Sequence, residues 1–239
     1  MKKLPAVCTL TIMAAAATLA EAGPLECGIP AATVSALQAT LAKVIRLPDA
    51  NGGIFQPNRM WSAIVDRQGR LCSVVNSGND PWPGSRAIAI AKASTANDFS
   101  NSALALSTAN LYAPTQPGGS LYGLNNSNPY NPLFEVSRSD TGLVPGGIIT
   151  FGGGVALYLN GTVIGGLGVS GDSSCADHAI AFRMRKIAGL DRVPSGVAPD
   201  NSDNIIYAAS GTAPSGFEQP HCFPSDLTPS QIATLPAVQ

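Results

Sequence analysis

The two histidines of the chain, His178 and His221, are its residues best suited to bind a metal ion or move a proton. An imidazole changes charge between pH 5 and 8 and, when neutral, is a common metal ligand. His178 directly follows Asp177 at the start of a predicted helix. This makes the pair a candidate acid–base site and His178 a candidate metal ligand; the alternative is an ordinary surface histidine at a helix start. His221 lies beside Cys222, and there we expect a structural or incidental role.

A glycine-rich run at residues 165–171 could present backbone N–H groups to an anionic ligand, because it leads towards the start of the same helix. The candidates within this run are Gly168, Ser170 and Gly171. Alternatively, the glycines give a strand the space to pack closely on an alanine-rich helix, and both interpretations can hold at opposite ends of the run. The G-x-G-x-x-G spacing of a dinucleotide-binding loop is absent from the sequence.

Two cationic residues, Arg86 and Lys92, lie six positions apart on the predicted alanine-rich helix. Either could meet a carboxylate, and arginine is the better bidentate partner. The alternative is a solvated helix face. Four loop aromatics could form a stacking wall for a flat ligand, or could cover the core or a subunit contact: Trp82, Tyr112, Tyr122 and Tyr130.

The first 22 residues are typical of a secretory signal peptide. A short basic start precedes an apolar, alanine-rich stretch, and Ala20-Glu21-Ala22 supplies the small-x-small pattern of a cleavage site. We therefore expect cleavage after Ala22, a periplasmic or secreted location, and no transmembrane segment in the mature protein.

The cysteine content agrees with export. Cys8 would leave with the signal peptide, and an even number in an oxidising compartment predicts two disulfides. Three pairings are open. The preferred one joins Cys175 to Cys222, pinning the tail to the last helix, and Cys27 to Cys72, tying the first helix to a hairpin. None lies in a C-x-x-C pair, the spacing typical of zinc sites and redox-active dithiols.

Composition argues against nucleic-acid binding. The chain has 239 residues, 12% of them charged, with a formal net charge of −1 and no basic run. Affinity for nucleic acid depends on clustered phosphate contacts, which this charge distribution does not offer. The 25 glycines and 19 prolines predict many turns within an otherwise globular chain.

Hydrophobic periodicity predicts an α+β domain over residues 23–189, with an antiparallel sheet covered by helices. A long loop is expected at residues 113–150 and an irregular tail at residues 190–239. The predicted helices are residues 33–46, 86–97, 102–111 and 175–188, and the predicted hairpins are residues 61–66 with 71–76 and 155–159 with 162–169.

Five short segments, in order along the chain, resemble motifs of the GlcG/HbpS-like, or haem-degrading-domain, family. Residues 65–71 are similar to that family's VVD-x-x-G-x-L hairpin, and residues 161–171 to its G-x-x-x-G-x-x-G-V-S-G strand. Residues 153–157 have alanine where the family motif GG-x-P-L has proline. The segments are residues 65–71, 89–96, 153–157, 161–171 and 177–181.

The resemblance implies a profilin-like α/β/α fold, with about five antiparallel strands, that assembles into homo-oligomers. It also implies a small ligand, with haem or a related tetrapyrrole as the first expectation and His178 as the candidate axial ligand of the iron. Some exported members are similar to haem-binding partners of a sensor kinase. The ligand-binding residues expected in this sequence are Arg86, Lys92, Gly153, Gly154, Gly168, Ser170, Gly171, Asp177 and His178.

Two other functions stay open. One is an enzyme acting on a small carboxylate or carbonyl compound, with Asp177 and His178 as acid and base and the glycine-rich strand end as an oxyanion site. The other is a structural or regulatory oligomer without a small ligand.

Overall fold

A four-stranded antiparallel sheet forms the centre of the computed structural model, which describes residues 26–78, 80–127 and 147–236. The strands are β1 (Trp61–Asp66), β2 (Leu71–Asn76), β3 (Gly154–Leu159) and β4 (Thr162–Ser170). Their order in the sheet is β2-β1-β4-β3, so each hairpin lies at one side and the two meet through β1 and β4. About five strands were expected, and four are present in the described residues.

Local turn chemistry explains both hairpins. In the first, the Asp66 carboxylate accepts the backbone N–H groups of Gln68 and Arg70, and Gly69 has φ +78°. In the second, Asn160 and Gly161 have φ +53° and +80°, as expected for a type I′ turn. Both hairpins confirm the prediction from the sequence.

Helices cover both faces of the sheet. The predicted first helix is divided into α1 (Ala31–Ala39) and α2 (Leu41–Val44), which pack with α5 (Ser174–Ile187) on one face. The opposite face is covered by α3 (Ser85–Asp98). Alternation along β1 separates the two cores, since Ala63 belongs to the α3 side and Ile64 to the other. The fold is therefore α+β with α/β/α layers, as predicted.

The predicted helix at residues 102–111 is wrong. This segment is irregular because its backbone N–H groups are bonded outside it: Ala105 donates to the Ser195 carbonyl and Thr108 to the Gly154 carbonyl. The Asn110 side chain also accepts the N–H of Ser107. These contacts hold the segment against β3 and the tail, and only the short α4 (Tyr112–Thr115) follows.

The tail is irregular except for α6 (Pro229–Ala233), which begins with a capping box formed by Thr228 and Gln231. Two disulfides, Cys27–Cys72 and Cys175–Cys222, have the predicted pairing. None of the helices in the described residues is long and apolar enough to cross a bilayer. The predicted signal peptide, half of the loop at 113–150 and Tyr130 lie outside the described residues.

Candidate functional site

A buried ion pair joins two of the residues singled out from the sequence. Lys92 Nζ lies 2.7 Å from Asp177 Oδ2 and 3.2 Å from the Val169 carbonyl oxygen, and 4.9 Å from the centre of the Phe151 ring. The two charged side chains are 0% and 2% exposed. Burial lowers the pKa of Lys92 and raises the pKa of Asp177 to about 6, each against the attraction of its partner. Lys92 is therefore bonded inside the protein and does not face solvent as a free cation.

A second carboxylate connects this pair to a surface loop. Asp177 Oδ1 accepts the backbone N–H of Asp172 at 3.0 Å. The Asp172 carboxylate in turn accepts the backbone N–H groups of Ile54 and Phe55, at 2.7 and 3.1 Å. It also accepts the Asn58 side-chain amide at 3.2 Å. The loop that carries Phe55 is thus fixed to the end of β4.

His178 is buried, so the alternative of an ordinary surface histidine at a helix start is wrong. Its Nε2 lies 3.0 Å from the Ile205 backbone N and 3.2 Å from Asn204 Oδ1. Burial lowers the pKa of His178 to about 4, so the imidazole is neutral at pH 7 and Nε2 accepts the Ile205 N–H. Nε2 is therefore occupied by the tail, while Nδ1 has no hydrogen-bond partner among the described residues.

The candidate glycines serve as spacers. A Cβ on Gly168 would lie 1.9 Å from the Ala89 carbonyl oxygen of α3, and one on Gly154 would lie 2.5 Å from that of Lys92. At Gly171 it would lie 2.0 Å from the Arg59 carbonyl oxygen, and at Gly153 2.7 Å from Lys92 Nζ. Ser170 is buried at the end of β4. These contacts support the interpretation that the glycines of residues 165–171 allow close packing. Arg86, the other cationic candidate, is half-buried in the first turn of α3.

An open cleft, not expected from the sequence, lies beside the Phe55 loop. It is lined by Phe55, Arg59 and Trp82, together with three prolines, Gln56 and one acidic residue, Asp80. Two adjoining parts of this aromatic cleft have volumes of about 510 and 350 Å³. The Arg59 guanidinium lies 5.3 Å from the centre of the Phe55 ring, and the centres of the Phe55 and Trp82 rings are 6.2 Å apart.

Both walls of the aromatic cleft are attached to the domain. Asp172 holds the Phe55 wall, as described above. The Trp61 indole N–H donates to the Trp82 carbonyl oxygen at 3.0 Å and holds the other wall to β1. Trp82 nevertheless keeps 58% of its surface exposed. The cleft therefore presents an accessible aromatic surface, carried on anchored backbone, next to a guanidinium group.

A second open cleft of about 540 Å³, the tail cleft, lies among residues 208–212, 220–224 and Asp226. Here His221 Nδ1 lies 3.6 Å from Asp226 Oδ2, and the His221 ring stacks on Tyr207 with centroids 3.9 Å apart. The His221 side chain is 51% exposed, so it is more accessible than His178.

Comparison with known proteins identifies the class to which this α/β/α domain belongs. The family model for the haem degrading protein HbpS-like family matches residues 56–185, more than half of the chain. The chain belongs to the HbpS-like family.

Individual relatives share part of the chain. Over 79 residues it is 37% identical to the corrinoid adenosyltransferase PduO of Citrobacter freundii and 38% identical to that of Salmonella typhimurium. Each match covers 33% of this chain and 19% of that enzyme.

Two solved structures share the fold. The Klebsiella pneumoniae protein ORFY, of the DUF336 family model, has 25% identity and a TM-score of 0.51, covering 67% of this chain and 90% of that one. The PduOC:heme complex has 26% identity and a TM-score of 0.50, covering 67% of this chain and 94% of that one.

Proposed function

We propose that the protein is an exported tetrapyrrole-binding protein, with haem as the first ligand, and that the aromatic cleft is its binding site. The observation that carries the proposal is the combination of two aromatic rings on anchored backbone, Phe55 and Trp82, with the Arg59 guanidinium. Aromatic side chains stack on flat apolar ligands, and a guanidinium binds a carboxylate such as a haem propionate through two parallel hydrogen bonds.

Family membership and the size of the cleft support the same proposal. The cleft lies almost wholly in the part of the chain that the family model covers, and a haem complex is among the structures that share the fold. Volumes of about 300–1,000 Å³ are usual for small-ligand sites, and the cleft falls in that range.

Export and assembly into homo-oligomers are parts of the proposal. The two disulfides support an oxidising compartment, because such bonds are rare in the cytosol. Native mass spectrometry of protein purified from the periplasm or medium would report signal cleavage, bound ligand and subunit number together. A mature chain beginning at Gly23 is the expected result, and an uncleaved chain in the cytosol would contradict export.

Hemin titration tests the binding site. We expect a saturable Soret shift and quenching of Trp fluorescence at one site per chain. Arg59→Gln and Trp82→Ala should each weaken binding by about 10-fold, the loss expected for a charge-assisted hydrogen bond or a stacked ring. The matched controls, Arg192→Gln and Tyr122→Ala, change an exposed cation and an exposed aromatic outside the cleft. Equal effects in the controls and the cleft variants would overturn this placement.

Ligation of the iron by His178 is tested in the same titration. Ligation through Nε2 requires this atom to leave the Ile205 amide. A folded His178→Asn variant that loses the Soret shift would support His178 as the axial ligand. Retention of the shift in this variant, with its loss in Arg59→Gln, would favour the aromatic cleft without histidine ligation.

The acid–base enzyme is less well supported by the geometry. Asp177 is committed to Lys92, and His178 to Ile205, and all of these polar groups are buried. General catalysis needs the acid or base within hydrogen-bond reach of a substrate. The residues that the structure describes offer no observation that favours this alternative.

A further inference from the structure

The Cys175–Cys222 disulfide lies in a cluster of metal-ligand types at the edge of the tail cleft. The two Sγ atoms and an Asp226 carboxylate oxygen all lie within 4.8 Å of one another. His221 Nδ1 lies 3.6 Å from the Asp226 carboxylate. Two sulfurs, an imidazole and a carboxylate are together the ligand types that bind zinc. Cys222, His221 and Asp226 line the open cleft, and His221 is 51% exposed, so the cleft is the side from which an ion would approach the less exposed Asp226.

Hydrogen-bond donors surround the two sulfurs. Cys175 is the second residue of α5, and its backbone N–H points to Cys222 Sγ at 3.2 Å. The Ser174 hydroxyl lies 3.3 Å from the same sulfur, and the Gln219 amide lies 3.5 Å from Cys175 Sγ. Donors of this kind at a helix N-terminus stabilise a negative charge on sulfur. The thiolate is the form of cysteine that binds metal ions.

The carboxylate in the cluster has an unsatisfied oxygen. Asp226 Oδ2 accepts the backbone N–H groups of Cys222 and Phe223, at 2.6 and 3.0 Å. The side chain is only 1% exposed, and Oδ1 has no hydrogen-bond partner among the described residues. A buried, unpartnered carboxylate oxygen is costly, and a bound cation would satisfy it.

We propose that reduction of the Cys175–Cys222 disulfide converts this cluster into a binding site for a thiolate-preferring divalent ion, Zn²⁺ in the first place. Two small-molecule thiols supply two electrons and two protons to the S–S bond and are themselves oxidised to a disulfide. The two cysteine thiols so formed release their protons to solvent when the metal binds. Asp226 and His221 provide the remaining ligands.

The Cys27–Cys72 disulfide offers a matched control in the same chain. Its sulfurs also lie within 4.8 Å of a carboxylate oxygen, that of Asp66. However, both Asp66 oxygens are already used: Oδ1 accepts the N–H groups of Gln68 and Arg70, and Oδ2 accepts that of Gly28. The Asp66 carboxylate is paired with Arg70 at 3.6 Å, whereas that of Asp226 is paired with His221. We therefore expect weak or no metal binding at the first disulfide after reduction.

Cobalt titration tests the proposal, because thiolate-bound Co²⁺ has intense ultraviolet charge-transfer absorption. The purified protein is reduced with a phosphine, desalted without oxygen and titrated with Co²⁺, which Zn²⁺ then displaces. We expect one Co²⁺ per chain with thiolate bands in reduced protein and none in oxidised protein. Cys222→Ser should abolish the bands, and His221→Gln and Asp226→Asn should each weaken binding by about 10-fold or more. Cys72→Ser should leave the bands unchanged.

Absence of thiolate bands in reduced wild-type protein that keeps its far-ultraviolet circular dichroism would overturn the proposal. Equal bands in Cys222→Ser and wild type would do the same. If Cys222→Ser fails to fold, His221→Gln decides the matter, since this half-exposed side chain can change without disturbing the core. Unaltered cobalt affinity and spectrum in His221→Gln would then contradict the assignment. Hemin binding is measured on oxidised protein, so the two proposals fail independently.

Discussion

Lys92 of α3 and Asp177 of α5 meet in an ion pair of 2.7 Å although their helices cover opposite faces of the sheet. They do so at the end of β4, where Gly153 leaves space that any Cβ would fill. The pair therefore joins the two helical layers directly. Its energetic role follows from burial, because each charge depends on the other for compensation.

Removing one partner of this pair should destabilise the protein strongly. Asp177→Ala leaves the Lys92 ammonium buried without its carboxylate, and the expected loss is about 3–5 kcal/mol of the free energy of unfolding. The double variant Lys92→Met, Asp177→Leu should recover much of that loss, because no buried charge remains. Urea unfolding of the wild type, Lys92→Met, Asp177→Leu and the double variant gives the coupling energy. A coupling energy near zero would contradict this role.

The pH dependence of stability should reveal the buried His178. Its pKa is about 4 in the folded protein and near 6.5 when unfolded, since burial disfavours the imidazolium. As the pH falls from 6.5 to about 4, the unfolded chain binds a proton that the folded chain does not. His178 therefore removes up to about 3 kcal/mol of stability over that range.

Asp177 acts in the opposite direction over nearly the same range. Its pKa is raised to about 6 by burial, so the folded chain binds a proton first and gains stability as the pH falls from 6 towards 3.8. The two contributions offset each other in the wild type. The wild type carries the destabilising contribution of His178 at low pH, and His178→Asn does not. The stability of His178→Asn relative to the wild type, measured by urea unfolding, should therefore be higher at pH 4.5 than at pH 7. Parallel pH profiles of wild type and variant would contradict a neutral buried His178.

Parts of the fold, such as the second hairpin and the packing surface of α3, could be predicted from the sequence because their causes are local. The Asn160–Gly161 turn specifies its hairpin within two residues. The stripe of small residues that makes α3 suitable for close packing is likewise visible in one short segment. The helix expected at residues 102–111 failed because its periodicity was outweighed by distant acceptors, the carbonyls of Ser195 and Gly154.

The candidate site was less predictable, because it depends on residues far apart in sequence. Lys92 and Asp177 were each recognised, but not as partners separated by 85 positions. Trp82 was noted as a loop aromatic, whereas Phe55 and Arg59 lie in a loop without periodicity. The position of their loop depends on Asp172, more than 110 residues away. No local pattern in the sequence contains that information.

Close packing of β4 on α3 predicts a large difference between two glycine substitutions. A Cβ at Gly168 would lie 1.9 Å from the Ala89 carbonyl oxygen and 2.5 Å from the Ala93 backbone N. Gly168→Ala should therefore cost about 3 kcal/mol or more, or prevent folding, because backbone must move. Gly84→Ala is the control, since nothing lies within 4 Å of its Cβ and the change should stay within about 1 kcal/mol. Equal melting temperatures for the two variants would contradict this packing.

The two disulfides should contribute similarly to stability, although they fasten different parts of the chain. The loops they close have sequence separations of 45 and 47 residues. In the chain-entropy model, loops of this length each stabilise the folded state by about 4 kcal/mol, so the calculated effects on the unfolded chain are nearly equal. A denatured, unreduced mature protein should contain no titratable thiol, whereas a chain that kept its signal peptide would expose Cys8.

Thiol titration of the wild-type protein tests the expected absence of free thiols. Urea unfolding of the double variants Cys27→Ser/Cys72→Ser and Cys175→Ser/Cys222→Ser tests whether the two disulfides contribute equally to stability. The first pair fastens the segment before α1 to β2, and the second fastens the tail to α5. The tail is also held to α5 by the buried Arg185–Asp203 ion pair, so it should stay attached when its disulfide is removed. Two or more free thiols in the denatured, unreduced mature protein, or a tail lost to mild proteolysis only in the second variant, would contradict this arrangement.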